Sequence, residues 1–299
     1  MASLLPAATD IVAGLGAAHA LVAVSHECDA PAASPLPRVT RSAVDAGAGP
    51  SAVDACVRDA ARVAAPLFEV DEAALAALRP DVILTQGVCD VCAVSERDVR
   101  ALAARLMPSP IVVTLSATTI EGILGDVMKV ARVLRRVDGG RTLADALRER
   151  MMRVHVVLKE ARAPRPRVAV IEWTDPVYIA GHWVPEMVRR AGGAAVLTEP
   201  GAHSVVVDSA ALERADPEIV LVAPCGYTVD RAAAEGARMM GRDEWAWLAG
   251  RVVWAMDGGA LVSRPGPRVV EGVEVMAAAF HPSLFPQPPS SLARRMTLR

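Results

Sequence analysis

The chain has 299 residues, room for two domains of ordinary size, and 53% of them are hydrophobic against 22% charged, which excludes a disordered chain. A formal net charge of -2 gives neither nucleic acid nor an anionic membrane surface a reason to bind. Five cysteines, an odd number in a chain this long, do not make a disulfide framework.

Short Val- and Ile-rich runs alternate with helical stretches, the pattern of an α/β protein with parallel sheets. Residues 2–5 read as a strand and 8–15 as the helix after it. Residues 21–25 form the next strand, which ends at His26-Glu27-Cys28-Asp29, and a Pro-rich loop follows. A helix over 71–78 precedes a buried strand over 81–85. That strand delivers Thr85-Gln86-Gly87-Val88-Cys89-Asp90-Val91-Cys92. Residues 95–106 are helical and 111–115 are a strand. Residues 118–136 are helical until Gly139-Gly140, and 141–162 form one long helix with Leu143, Leu147, Met151, Val154 and Leu158 as its apolar stripe.

Pro164 and Pro166 end that helix, and a second α/β series begins. It runs through a strand at 168–172, a helix at 184–191, a strand at 219–223, a helix at 230–240, a strand at 252–255 and a helix at 267–280. From Pro282 onward the chain is Pro/Ser-rich and reads as loose. The expected organisation is an N-terminal α/β lobe over 1–138, a linking helix over 139–163 and a C-terminal α/β lobe over 164–299. No basic segment leads into an apolar one at the start, and no apolar run reaches transmembrane length. The chain as written reads as cytoplasmic, or as periplasmic if a leader has been removed.

The halves echo each other. Leu78-Arg79-Pro80-Asp81-Val82-Ile83-Leu84 parallels Ala215-Asp216-Pro217-Glu218-Ile219-Val220-Leu221. Each copy ends a helix, turns at a proline and enters a buried strand. Ligands of open parallel sheets bind beyond the carboxyl ends of strands. The loops His26–Asp29, Gly87–Cys92 and Cys225-Gly226-Tyr227 are therefore where chemistry is expected, in two lobes facing each other across a cleft.

Several stretches carry a resemblance: Ser3-Leu4-Leu5-Pro6-Ala7-Ala8-Thr9-Asp10, Val24 to Asp29, Arg79 to Leu84, Glu172-Trp173-Thr174-Asp175-Pro176, Gly181-His182-Trp183-Val184-Pro185-Glu186 and Arg264-Pro265-Gly266-Pro267-Arg268. Through them the chain resembles, over nearly its full length, the substrate-binding proteins of cobalamin and iron-chelate ABC transporters, closest to the cobalamin-binding branch. The resemblance implies two Rossmann-like lobes with parallel sheets joined by one long rigid helix. It also implies a non-catalytic binder of a corrinoid in the interlobe cleft and an ABC permease as partner. Haem and ferric siderophores are the rival ligands.

Aromatics make up only 3% of the chain, so Trp173, Tyr178, Trp183 and Tyr227 are candidates to cover a flat ligand face, or to fill the lobe's own core. His26 and His182 are candidate axial ligands, since imidazole suits both cobalt and iron, or else hydrogen-bonding residues. Glu27, Asp29, Asp90, Asp175 and Arg264 offer polar contacts to the ligand edge, and Glu172 with Asp175 can do acid/base work or equally meet corrinoid amides. The C-x-x-C pair admits three roles: a small-residue turn, a redox pair before the helix start at Ser95, or metal ligation. With His26 and Cys28, Cys89 and Cys92 would make a zinc set, or the thiolates of an iron-sulfur site. That last option defines a rival of another class, a cytosolic metalloprotein or thiol enzyme.

Overall fold

The strand Val82–Gln86 is buried at every position, as a central parallel strand covered on both faces must be. In the computed structural model, which describes residues 1–45, 47–63, 65–88 and 93–297, it lies in an all-parallel sheet. The order is Ala23–Val24, Ala2–Ser3, Val82–Gln86, Ile111–Leu115. A second sheet is built on four parallel strands, Ala194–Ala195, Arg167–Thr174, Ile219–Val222 and Val252–Met256. Antiparallel strands extend it: Val177–Ile179 and then Val205–Val206 on one side, Ala293–Met296 on the other. The sheet is mixed because a turn as tight as Asp175-Pro176 joins only antiparallel neighbours.

The chain divides into two compact units, Met1–Ala117 with Glu121–Ala144, and Thr118–Ile120 with Asp145–Arg299. Each has its own apolar core. In the first, Ile11, Val12, Leu84, Val127 and Val130 pack on one face of the sheet, and Leu4, Leu75, Ile83 and Val99 on the other. In the second, Ile171, Ile179, Val220, Val222 and Trp245 pack together.

The internal echo is one folding device used twice. Asp71 and Asp208 each cap a short helix, accepting from Ala74 N and Ala211 N at 2.9 and 2.7 Å. The helices end before Arg79 and Asp216, whose φ values of 46° and 48° reverse the chain into Pro80 and Pro217. The strands that follow occupy the same place in their sheets, third in a run of four parallel strands.

The long helix is Val137–Glu160, and at about 1.5 Å per residue its 24 residues span about 36 Å. Its predicted stripe is buried at Leu147, Met151 and Val154. The break before it is not at Gly139-Gly140. It falls at Arg135, with φ 55°, where Arg136 N bonds back to Ala131 O at 2.8 Å. Gly140 lies inside the helix, where a Cβ would stand 2.5 Å from Ala131 Cβ, so the glycine serves close helix approach. The tail is not loose either. Ala293–Met296 pairs along Val252–Met256, and Met296 packs against Gly236. The amphipathic helix Pro50–Arg62 and the antiparallel pair of Thr40–Ser42 with Phe68–Val70 lie in a stretch to which the sequence pattern assigned no element.

Candidate functional site

In the first unit the loop after Ala23–Val24 is tied down by Thr40. The Thr40 hydroxyl donates to Ser25 Oγ at 3.1 Å and accepts from His26 N at 3.0 Å. The same hydroxyl is hydrogen-bonded to His26 Nδ1 at 2.7 Å. With Nδ1 engaged by the Thr40 hydroxyl, Nε2 is the ring nitrogen that this contact leaves for a ligand. Burial, and then the Arg38 charge, lower the His26 pKa and hold the ring neutral. Arg38 clamps the loop from below by donating to the carbonyls of Ser25 and Cys28.

Cys28 is 3% exposed, with Sγ 3.1 Å from Thr9 Oγ1, and Thr9 in turn donates to Ser3 Oγ. Glu27 and Asp29, on either side, are exposed. Cys89, Asp90 and Cys92 lie outside the described residues. Of the expected Cys28, Cys89, Cys92 and His26 metal set, only His26 and Cys28 are therefore described. Among the described residues no group of three or more His, Cys, Asp or Glu is placed to hold a metal ion.

The second unit brings its aromatic candidates to the carboxyl ends of adjacent strands. Trp173, at the end of Arg167–Thr174, meets Tyr227, from the loop after Ile219–Val222, with ring centroids 5.4 Å apart and planes at 58°. Cys225 N donates to Glu172 O at 3.0 Å, which ties that loop to the strand. Arg231 lies 3.7 Å over the Tyr227 ring and donates to its hydroxyl at 3.0 Å, so Tyr227 is packed from both sides while Trp173 stays half-buried. Tyr178 and Asp175, half-buried as well, belong to the same hairpin, and Tyr178 is the register partner of Trp173.

The neighbouring turn is pressed against this edge. Asp257 caps the π-helical turn Gly258–Val262, accepting from Ala260 N at 2.7 Å, and Gly259 N donates to Tyr227 O at 3.1 Å. Arg264 is buried and donates to Gly259 O at 3.1 Å. A Cβ on Gly258 would lie 2.1 Å from Pro224 O and 2.6 Å from Ala223 O, both fixed backbone. Gly258→Ala should therefore cost about 1–3 kcal/mol in denaturant unfolding. A change under about 0.5 kcal/mol would show that the two loops are not in contact.

Trp183 is buried at 7% exposure, and its indole Nε1 donates to Val262 O at 2.8 Å. Its neighbour His182 holds φ 54° where two backbone segments cross. Around it His182 N donates to Ala202 O, Gly201 N to His182 O, and Gly181 N to Ser204 Oγ. The His182 ring stands edge-on to His203 at 5.5 Å, and its Nε2 is buried without a hydrogen-bond partner among the described residues. Burial first, then His203, lower its pKa. His203, Ser204 and Arg231 are site neighbours without a sequence signal of their own, apart from the i,i+4 spacing of Tyr227 and Arg231.

The model of the family described as periplasmic binding protein matches residues 1–249. No curated protein matches the chain. Among solved structures it is similar to a periplasmic heme binding protein from Pseudomonas aeruginosa, at 22% identity and a TM-score of 0.72, covering 100% of this chain and 98% of that one. It is similar to an ABC transporter substrate-binding protein from Listeria monocytogenes EGD-e, at 16% identity and a TM-score of 0.69, covering 94% and 98%. It is also similar to the periplasmic vitamin B12 binding protein of Vibrio cholerae, at 20% identity and a TM-score of 0.64, covering 94% and 96%.

Proposed function

The chain belongs to the periplasmic binding protein family, and from that premise we propose that it captures a corrinoid and delivers it to an ABC permease. Members of the family bind and release substrate and are not enzymes, so the thiol-enzyme alternative is set aside. The family works in the periplasm, and the cytoplasmic expectation finds no support. Among the described residues no helix is long and apolar enough to cross a membrane.

One observation carries the ligand assignment: the Trp173–Tyr227 pair at the carboxyl edge of the second sheet. A corrin presents a broad apolar face, and a stiff indole covers it with few rotors to immobilise. Tyr178, Asp175 and Arg264 would line the same edge, and His182 and Trp183 would shape it. His26, Glu27, Cys28 and Asp29 are the first unit's own candidate ligand residues. A solved relative whose name states vitamin B12 binding supports the reading.

Haem is the second reading. It is favoured by His26, whose Nε2 is free to ligate iron, and by the relative whose name states heme binding.

The test is an absorbance titration with hydroxocobalamin and haemin. Saturable binding of hydroxocobalamin at micromolar concentration or below is the expected result. A shift of the cobalt bands would add an imidazole or thiolate ligand. Saturable haemin binding with no corrinoid binding would replace the corrinoid reading by the haem one.

A further inference from the structure

The pairing of Arg167–Thr174 with Val177–Ile179 slips between Ile171, opposite Ile179, and Trp173, opposite Tyr178. Glu172 is the extra residue of this bulge, and bulges of this kind re-aim a side chain beside a site. Its carboxyl takes a hydrogen bond from the Ser204 hydroxyl, which itself accepts from Gly181 N at 3.1 Å. Glu172 O also receives Cys225 N, so both ends of the residue are fixed beside the Trp173–Tyr227 pair.

The cations nearby are committed elsewhere. Arg231 is on Tyr227, Arg242 donates to Thr174 O at 3.4 Å and pairs with Glu244, and Arg264 donates to Gly259 O. The other acids at this edge are Asp175, Asp257 and Glu235, and the two imidazoles are His182 and His203. Burial raises the Glu172 pKa and the Ser204 bond lowers it in part, with no arginine among the causes.

We propose that Glu172 is a specificity-determining residue: it accepts hydrogen bonds from amide N–H groups on the ligand edge and turns away carboxylate edges. The proposal rests on the corrinoid reading above and narrows it to amide-edged ligands. A carboxylate without a cation beside it repels a second carboxylate, and the repulsion is strong where water is thin. An amide N–H finds an acceptor oxygen on the acid in either protonation state. The discrimination strengthens as pH rises through the raised pKa of Glu172, because the ionised form alone repels.

Two probes with the same ring separate the possibilities: cobinamide, edged by amides, and cobyrinic acid, edged by carboxylates. Both are titrated by absorbance into the full chain at pH 6 and pH 8.5, for the wild type, Glu172→Gln and Ser204→Ala. The wild type should prefer cobinamide by about tenfold or more at pH 8.5 and by less at pH 6. Glu172→Gln should hold cobinamide within about threefold, tighten cobyrinic acid about tenfold and flatten the pH profile. Ser204→Ala should keep the preference. An unchanged ratio in Glu172→Gln overturns the proposal while leaving the corrinoid reading intact. So does equal weakening of both corrins together with a lower unfolding midpoint. Haemin bound by the wild type in preference to either corrin overturns both.

Discussion

Trp183→Ala is expected to lower the stability of the second unit by about 3–5 kcal/mol. The indole is buried and its Nε1 bonds to the Val262 carbonyl, which closes the turn Gly258–Val262. Truncation leaves a cavity beside Val184, at the start of the helix that packs on Val269–Phe280, and it strands a buried carbonyl. Trp183→Phe separates the two effects. It keeps most of the ring volume and loses the N–H, so it should cost about 1–3 kcal/mol.

The measurement can be confined to this unit. All five tryptophans, Trp173, Trp183, Trp245, Trp247 and Trp254, belong to the unit that contains Asp145–Arg299. Tryptophan fluorescence in urea therefore reports its unfolding and not that of the first unit, which avoids treating a two-unit chain as one two-state transition. An unchanged midpoint with a large loss of ligand affinity would instead make Trp183 a contact residue.

Where backbone rules act locally, the fold was legible in the sequence. Strands 82–86 and 219–222 follow from buried β-branched runs, and the helix ends before Pro80 and Pro217 from the helix-stopping proline turn. The failures have a common cause in tertiary partners. Gly139-Gly140 reads as a break, yet the helix runs through it because Ala131 needs the space, and the turn is made by an arginine. Ala293–Met296 has no strand pattern of its own and is a strand because Val252–Met256 offers an open edge. Likewise the second sheet looks purely parallel until Asp175-Pro176 folds a hairpin back onto it.

The site was legible in its residue types and less so in its geometry. Trp173 and Tyr227 are 54 positions apart, and nothing in either segment says that their rings meet; two adjacent parallel strands bring them together. His26 was visible as an imidazole after a strand, but its ring is held by Thr40, which belongs to a two-stranded sheet the sequence pattern did not reveal. Cys28 was grouped with the C-x-x-C by residue type. Its sulfur sits in the core against Thr9, a contact set by the helix Pro6–Gly14.

Trp173→Ala is the largest effect expected on binding. The indole is half-buried, so up to about 90 Å² of its surface is left to cover a ligand. At about 25 cal/mol per Å² that contributes up to about 2.2 kcal/mol, or up to about fortyfold in Kd. Tyr227 acts through Trp173. Its ring is 5% exposed and wedged between the indole and Arg231, so its loss removes the support that holds the indole. Tyr227→Ala should weaken hydroxocobalamin binding less than Trp173→Ala, and the double variant should fall short of the sum, because one interaction is removed twice. Tyr227→Phe loses only the Arg231 hydrogen bond and should stay within about threefold of the wild type. Absorbance titration of the four variants beside the wild type decides the matter. Full additivity would mean that each ring touches the ligand by itself. An unchanged Kd in Trp173→Ala would remove the aromatic edge from the ligand site altogether.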